Sequence, residues 1–406
     1  MPSNLRILHI STRLILGGSQ ENTVLSCEGQ SRLGHDVHLA FGPIFGPEGS
    51  MLARVQAFRT SDGRGITPHE VPYLVRELHP LADARCYAEL RRLIRAVDPD
   101  VVHTHSSKAG ILGRLAAWHE GGRAGRRAVI HTIHGPPFHK YESAAKNALY
   151  KAAERFAARR CHTIVSVADA MTTQFRAAGI GRADQFVTVR SGMEIDEFLR
   201  DPPPGDEGSR SSVRARLNIE HDDVVIGTVA RLAELKGHDD LIDALEPELR
   251  ARPNLRLLWV GDGWWTDRLT NRLLALGLRH RVIMTGLVPP ERVPAMIRAM
   301  DLVVHPSYRE GLPRVVPQAL LCAVPVIAYD VDGTGEICLD TRTGRLIPAG
   351  DLTALRDAVR WMLDAPARAR ATAEAGREMC REMFSADTMV QGLERAYARA
   401  ITRPGE

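Results

Sequence analysis

Short apolar runs recur along this chain, and most are followed by a polar loop and then a helix-like stretch. In the first half they cover residues 5–10, 36–41, 101–103, 129–133 and 163–167; in the second, 224–229, 255–260, 282–286, 302–304 and 325–329. Runs this short and this continuously apolar fit strands buried on both faces, which is the pattern of a parallel sheet covered by helices. The expected class is α/β, with two doubly wound Rossmann-like domains facing a central cleft. A chain of 406 residues is also too long for one ordinary core. Residues 201–212, rich in Pro, Gly, Asp and Ser, read as a surface loop. The boundary is placed near 190, ahead of that loop, giving domains 1–190 and 191–380 and a terminal helical segment, 381–406.

Composition narrows the setting. Hydrophobic content of 44% and charged content of 25% are those of a globular protein. The six cysteines are scattered with no C-x-x-C pair, which favours reduced thiols in a cytoplasmic protein over a disulfide framework. The opening residues hold no signal-peptide apolar core, and no run approaches the roughly 18 residues of a membrane span. Charge is uneven: residues 1–190 carry 25 Lys+Arg against 16 Asp+Glu, and the remainder 28 against 33. A basic half points to an anionic partner, unless the charges are merely scattered. Nucleic acid is the least favoured partner, because 5% aromatic content leaves few stacking platforms.

The stretch 301–336, DLVVHPSYREGLPRVVPQALLCAVPVIAYDVDGTGE, reads as strand, loop, helix, strand. Pro313 suits a first helical turn, whereas Pro317 deeper in would remove a helix bond, so the helix starts irregularly or late. Upstream, Arg231 and Lys236 stand where the strand 224–229 gives way to a loop and helix, and no Asp-x-Asp accompanies them in that loop. Gly17 and Gly18 lie at the first strand-to-helix junction, where backbone N–H groups can approach a phosphate. There is no G-x-G-x-x-G, and Gly261-Asp262-Gly263 lacks the third glycine of a dinucleotide turn. His103, His105, His131 and His134 fall near strand ends, but their spacing matches no familiar zinc motif, so no metal site is assigned.

The 301–336 stretch resembles the C-terminal signature of retaining GT-B glycosyltransferases of family 4, the bacterial exopolysaccharide, capsule and lipopolysaccharide type. That signature has two glutamates separated by seven residues. Glu310 matches the first, while Gln318 stands where the second, a ribose ligand, is expected. A glutamine amide can still hydrogen-bond there, without charge. The resemblance implies a hexosyl donor carried on a nucleoside diphosphate, UDP in preference to GDP. It gives Arg231 and Lys236 the diphosphate, Glu310 the sugar hydroxyls, and the backbone of Gly311 and Leu312 the sugar or phosphate. It further gives Gln318 the ribose, the Val288 segment the base, and Gly17, Gly18 and His134 the sugar and acceptor side. It implies retention by same-face substitution with no metal and no cofactor beyond the donor, and a last helix that crosses back onto the first domain. A sugar-nucleotide epimerase and a non-catalytic nucleotide-sugar binder are the alternatives.

Residues 139–160 form an amphipathic helix, with Tyr141, Ala144, Ala145, Ala148, Leu149, Ala152 and Phe156 at helical spacing. Its apolar stripe is expected in the core. Lys140, Lys146, Lys151, Arg155 and Arg159 lie largely off that stripe and could meet anionic lipid. Such a helix suits a saccharide or lipid-linked acceptor at the inner face of a membrane.

Overall fold

The computed structural model describes residues 4–44 and 49–402, and the chain divides into two compact units: residues 1–193 with 384–406, and residues 194–383. In unit 1, β1 (Arg6–Ser11), α1 (Gly18–Arg32), β2 (Asp36–Phe41), α2 (Leu52–Ala57) and β3 (Ile66–Glu70) come first. Then follow α3 (Pro80–Val97), β4 (Val101–His105), α4 (Ser107–Ala117), β5 (Ala128–Ile133), α5 (Ala144–Ala158), β6 (Thr163–Ser166), α6 (Asp169–Ala177) and β7 (Phe186–Thr188). All seven strands are parallel, in the order β3-β2-β1-β4-β5-β6-β7. The chain therefore winds outward from β1 to one edge, returns, and winds outward from β4 to the other.

Unit 2 repeats the plan. Two short helices, α7 (Asp196–Leu199) and α8 (Arg210–Arg216), lead into β8 (Val224–Val229), α9 (His238–Ala251), β9 (Leu255–Val260), α10 (Thr266–Ala275) and β10 (Val282–Met284). Next come α11 (Val293–Arg298), β11 (Leu302–His305), α12 (Val315–Leu321), β12 (Val326–Tyr329) and β13 (Arg345–Ile347). Two long helices close the unit, α13 (Leu352–Asp364) and α14 (Pro366–Met383). The parallel order is β10-β9-β8-β11-β12-β13. Trp259, Leu257, Val304, Tyr329, Leu245 and Val359 join one core between the sheet and helices α9 and α13. The helix α12 starts at Val315, after the 313–314 turn, so Pro317 falls within its first turn, where a missing N–H costs no helix bond.

The last helix, α15 (Ala386–Ile401), belongs to unit 1. Met389, Val390, Leu393, Tyr397 and Ala400 pack on Leu5, Ile7, Leu25 and Ile130. The α1–α15 crossing is close: a Cβ on Gly29 would lie 2.4 Å from Val390 Cγ2. Squeezed between sheet and α15, α1 buries Asn22 through Ser31 without a break, polar residues included.

The helix α5 differs from its sequence expectation. It begins at Ala144 behind a Ser143 cap, and its buried residues are Glu154, Ala157 and Ala158. The stripe expected in the core faces outward: Leu149 is 55%, Phe156 48% and Tyr141 42% exposed, and Ala144, Ala145, Ala148 and Ala152 are exposed with them. The reason is an ion pair. Glu154 meets the Arg114 guanidinium of α4 at 2.7 Å with both side chains almost fully buried. Leaving either charge buried alone would cost about 3–5 kcal/mol, so this pair fixes which side of the helix turns inward.

Candidate active site

The two windings of unit 2 part between β8 and β11, and the loops after these adjacent strands stand at the usual ligand position of an open parallel sheet. The β8 loop carries Arg231 and Lys236 and ends at α9. It is drawn tightly against the β11 loop. Tyr308 N–H donates to the Leu235 carbonyl at 2.8 Å, and the Ser307 hydroxyl donates to the same oxygen at 3.2 Å. Gly237 has φ 74°, and a Cβ there would lie 2.0 Å from the Pro306 carbonyl oxygen, so only glycine fits. Leu235 holds φ 62°, a left-handed conformation that costs a non-glycine residue roughly 1–2 kcal/mol.

This closure brings Lys236 Nζ to 2.6 Å from Glu310 Oε1 and 3.5 Å from Ser307 Oγ. His305 Nε2 lies 3.2 Å from the same glutamate oxygen. Burial alone would raise the Glu310 pKa, but the Lys236 charge and the neighbouring His305 outweigh it and hold the carboxyl well below the usual range. The carboxylate is thus ionised, partly exposed and fixed in place, and able to accept hydrogen bonds from a polyol.

Asp332 fixes it from the other side. Its Oδ2 accepts from the Glu310 N–H at 2.7 Å, and its own backbone is left-handed, φ 48°. Asp332 is the second carboxylate of Asp330-Val331-Asp332, an Asp-x-Asp outside the β8 loop, and it is engaged in shaping the Glu310 loop. Neither Asp332 nor His305 was singled out from sequence. The β12 loop position of Asp332, directly after a strand of the same sheet, was the available signal. Asp240 is a third brace: it accepts from the hydroxyls of Tyr308 at 2.6 Å and Tyr329 at 2.5 Å, tying α9 to the β11 loop.

The other expected donor residues surround this pair less closely. Arg231 is exposed, lies over the Trp264 ring at 5.6 Å, and makes no ion pair among the described residues. Gly311 is partly exposed, and its carbonyl accepts from Gly333 N–H at 3.1 Å; Leu312 is buried beside it. Gln318 sits in α12 with its side chain partly exposed and unbonded among the described residues. Val288 is partly exposed in the loop after β10. Gly261 and Gly263 serve packing: a Cβ on either would fall within 2.2 Å of a carbonyl oxygen of the β8 loop.

In unit 1, Gly17 and Gly18 are exposed at the start of α1. Gly17 is extended and serves as its N-cap. His134 follows β5 and is partly exposed, and burial of its ring lowers its pKa to about 4. The histidine quartet read from sequence is divided by the sheet. Strand alternation puts His9, His103, His105 and Thr132 on the face towards α1 and α15, with His134 next in line. His131 is on the other face, bonded to Thr104 at 3.0 Å. Among the described residues, His9, His103 and His105 form the one group whose ligand atoms converge to metal-binding distance, within 4.8 Å. No described helix is long and apolar enough to cross a membrane.

Residues 16–197 match the family described as Glycosyltransferase Family 4, and residues 209–379 the family described as Glycosyl transferases group 1. The 2-deoxystreptamine N-acetyl-D-glucosaminyltransferase of Streptomyces fradiae is 30% identical over 324 residues, covering 78% of this chain and 74% of that protein. The chain is a family 4 glycosyltransferase. This glycosyltransferase is also 31% identical over 302 residues to the GDP-mannose-dependent alpha-(1-6)-phosphatidylinositol monomannoside mannosyltransferase of Mycolicibacterium smegmatis, which covers 71% of this chain and 74% of the relative. Its fold is GT-B. Anabaena Alr3699/HepE, solved in complex with UDP-glucose, superposes with a TM-score of 0.78 at 21% identity, over 97% of this chain and 99% of the other.

The Glu310 pKa gives a direct test of the pair. A carboxyl held below its unfolded value stabilises the fold above the ordinary glutamate range, and that contribution is lost as pH falls towards the folded value. In the Lys236→Met glycosyltransferase burial acts with less opposition, so the Glu310 carboxyl resonance should titrate at clearly higher pH in carbon-13 NMR. An unchanged titration would mean that Lys236 does not hold the carboxylate.

Proposed function

We propose that this glycosyltransferase moves a hexosyl group from a UDP-sugar, with retention and without a metal, to a saccharide or lipid-linked acceptor in cell-surface polysaccharide synthesis. The observation that carries this reading is the Lys236–Glu310 pair at the parting of β8 and β11, at 2.6 Å. A departing nucleoside diphosphate gains negative charge, and a fixed cation beside it lowers the barrier. Lys236, and Arg231 from the same loop, supply that charge. The N-terminus of α9, a helix of 14 residues, adds N–H groups at the same loop end. Glu310, ionised and braced by Asp332, accepts from the donor sugar's hydroxyls and sets the ring's orientation. The backbone at Gly311 and Leu312 holds sugar or phosphate, Gln318 the ribose, and the Val288 segment the base.

For the acceptor, unit 1 offers Gly17, Gly18 and His134 as contacts for the incoming hydroxyl. No covalent nucleophile is assigned: the leaving phosphate takes the acceptor's proton as the new bond forms on the same face. The relative from M. smegmatis is named for a phosphatidylinositol mannoside acceptor, which supports a lipid-borne acceptor here. The outward stripe of α5 supports it independently. Leu149 and Phe156 can enter the headgroup boundary while Lys146, Arg155 and Arg159, all exposed, meet anionic phosphates. On this reading the enzyme works at the inner face of the membrane.

Three measurements test the reading. Glu310→Ala should lower transfer by about 100-fold or more while the far-UV circular dichroism stays unchanged; near wild-type turnover would remove Glu310 from the site. UDP-sugars should raise the melting temperature, GDP- and ADP-sugars should do so less, and EDTA should not alter the shift. A shift abolished by EDTA would end the metal-free assignment. Leu149→Ser/Phe156→Ser should weaken binding to phosphatidylglycerol-containing vesicles, and equal binding by wild type and variant would refute the α5 surface.

A further inference from the structure

The histidines facing α1 and α15 are joined in a line. Gln30 Oε1 lies 2.7 Å from His9 Nε2, His9 Nδ1 lies 2.9 Å from His105 Nε2, and His105 Nδ1 lies 3.1 Å from His134 Nε2. The His9 and His105 rings are inclined by 17° and the His105 and His134 rings by 25°, so each nitrogen points along its bond at the next. A neutral imidazole has one donor and one acceptor nitrogen. With Gln30 turned so that Oε1 faces His9, as here, the line is directional, because an amide oxygen can only accept. His9 must donate from Nε2 and accept at Nδ1. His105 must then donate from Nε2 and accept at Nδ1. His134 must donate from Nε2, which leaves its Nδ1 without a proton. Among the described residues nothing bonds to that Nδ1.

We propose that His105, backed by His9 and Gln30, is a positioning residue that holds His134 in the neutral tautomer with its proton on Nε2, so that Nδ1 is presented as a hydrogen-bond acceptor for a sugar or acceptor hydroxyl. This rests on the reading of His134 as a contact residue. The surroundings suit the assignment. His9 and His105 are fully buried, and desolvation disfavours a charge on either ring. The line is no path for protons to solvent, since it stops at a carboxamide inside the core. Nor do the rings fit a metal as they stand. The His9 and His105 nitrogens bond to each other, and His103 spends Nδ1 on the Tyr397 hydroxyl at 2.6 Å and Nε2 on Thr132 at 2.7 Å.

Nitrogen-15 NMR of the histidine-labelled full chain reads the tautomer directly. The expected pattern is a pyrrole-type Nε2 and a pyridine-type Nδ1 at His134. His105→Phe removes the acceptor for the His134 proton and should mix the two tautomers, with kcat down roughly tenfold, the worth of one hydrogen bond at 1.4 kcal/mol. His105→Asn places a carbonyl oxygen near the former Nδ1. It should restore the His134 pattern and most of the lost kcat, a rescue that a packing role would not give. A wild-type His134 protonated on Nδ1 would overturn the proposal, as would equal losses in the Phe and Asn variants. Broadening of the His9 and His105 signals by one equivalent of zinc would overturn it in favour of a metal centre. If the tautomer is as assigned but His134→Ala transfers sugar at the wild-type rate, the tautomer stands and the contact role of His134 falls.

Discussion

Two neighbouring parallel strands whose connections leave in opposite directions cannot have their loops cross above them. In unit 2 those strands are β8 and β11, and the consequence is a gap that the flanking loops must line without filling. The loops here are held tight to each other, by hydrogen bonds onto the Leu235 carbonyl and by a glycine at 237 with no room for a side chain. The strain at Leu235 and the ion pair between Lys236 and Glu310 both follow from that closure. Without it a lysine and a glutamate 74 residues apart in sequence would each be an ordinary surface charge, worth little to one another.

The same constraint operates in unit 1, between β1 and β4, but it is filled differently. There the strand ends carry imidazoles in place of a salt bridge. Neutral rings that donate and accept along one line satisfy each other without introducing charge.

Much of this could be read from the chain. Continuous apolar runs marked most of the buried strands, and the loops bearing Arg231, Lys236 and Glu310 were expected beside strand ends. What escaped has physical causes. The strand β3 contains Pro68, and β7 and β13 are three residues each, too short to carry a period. The helical period of α5 located its stripe, but period alone does not say which side is covered. That depended on Glu154 finding Arg114, a contact 40 residues away. Similarly, the spacing of His103, His105, His131 and His134 could not separate the faces of the sheet. His9 joined the group only through the β1–β4 register, which sets it beside His103.

The position of α15 bears on how the chain is made. The first unit's sheet is complete by Thr188, yet Leu5, Ile7, Leu25, Ile130 and Val165 are covered by residues after 385. A ribosome delivers the whole of unit 2 in between. At roughly 5–20 residues per second, the interval between the last strand and the helix that covers it lasts on the order of ten seconds or more. During that time an apolar face and the buried polar flank of α1 wait in solvent. Order of synthesis and order of packing therefore disagree in this protein, and the waiting face is a natural site for chaperone capture.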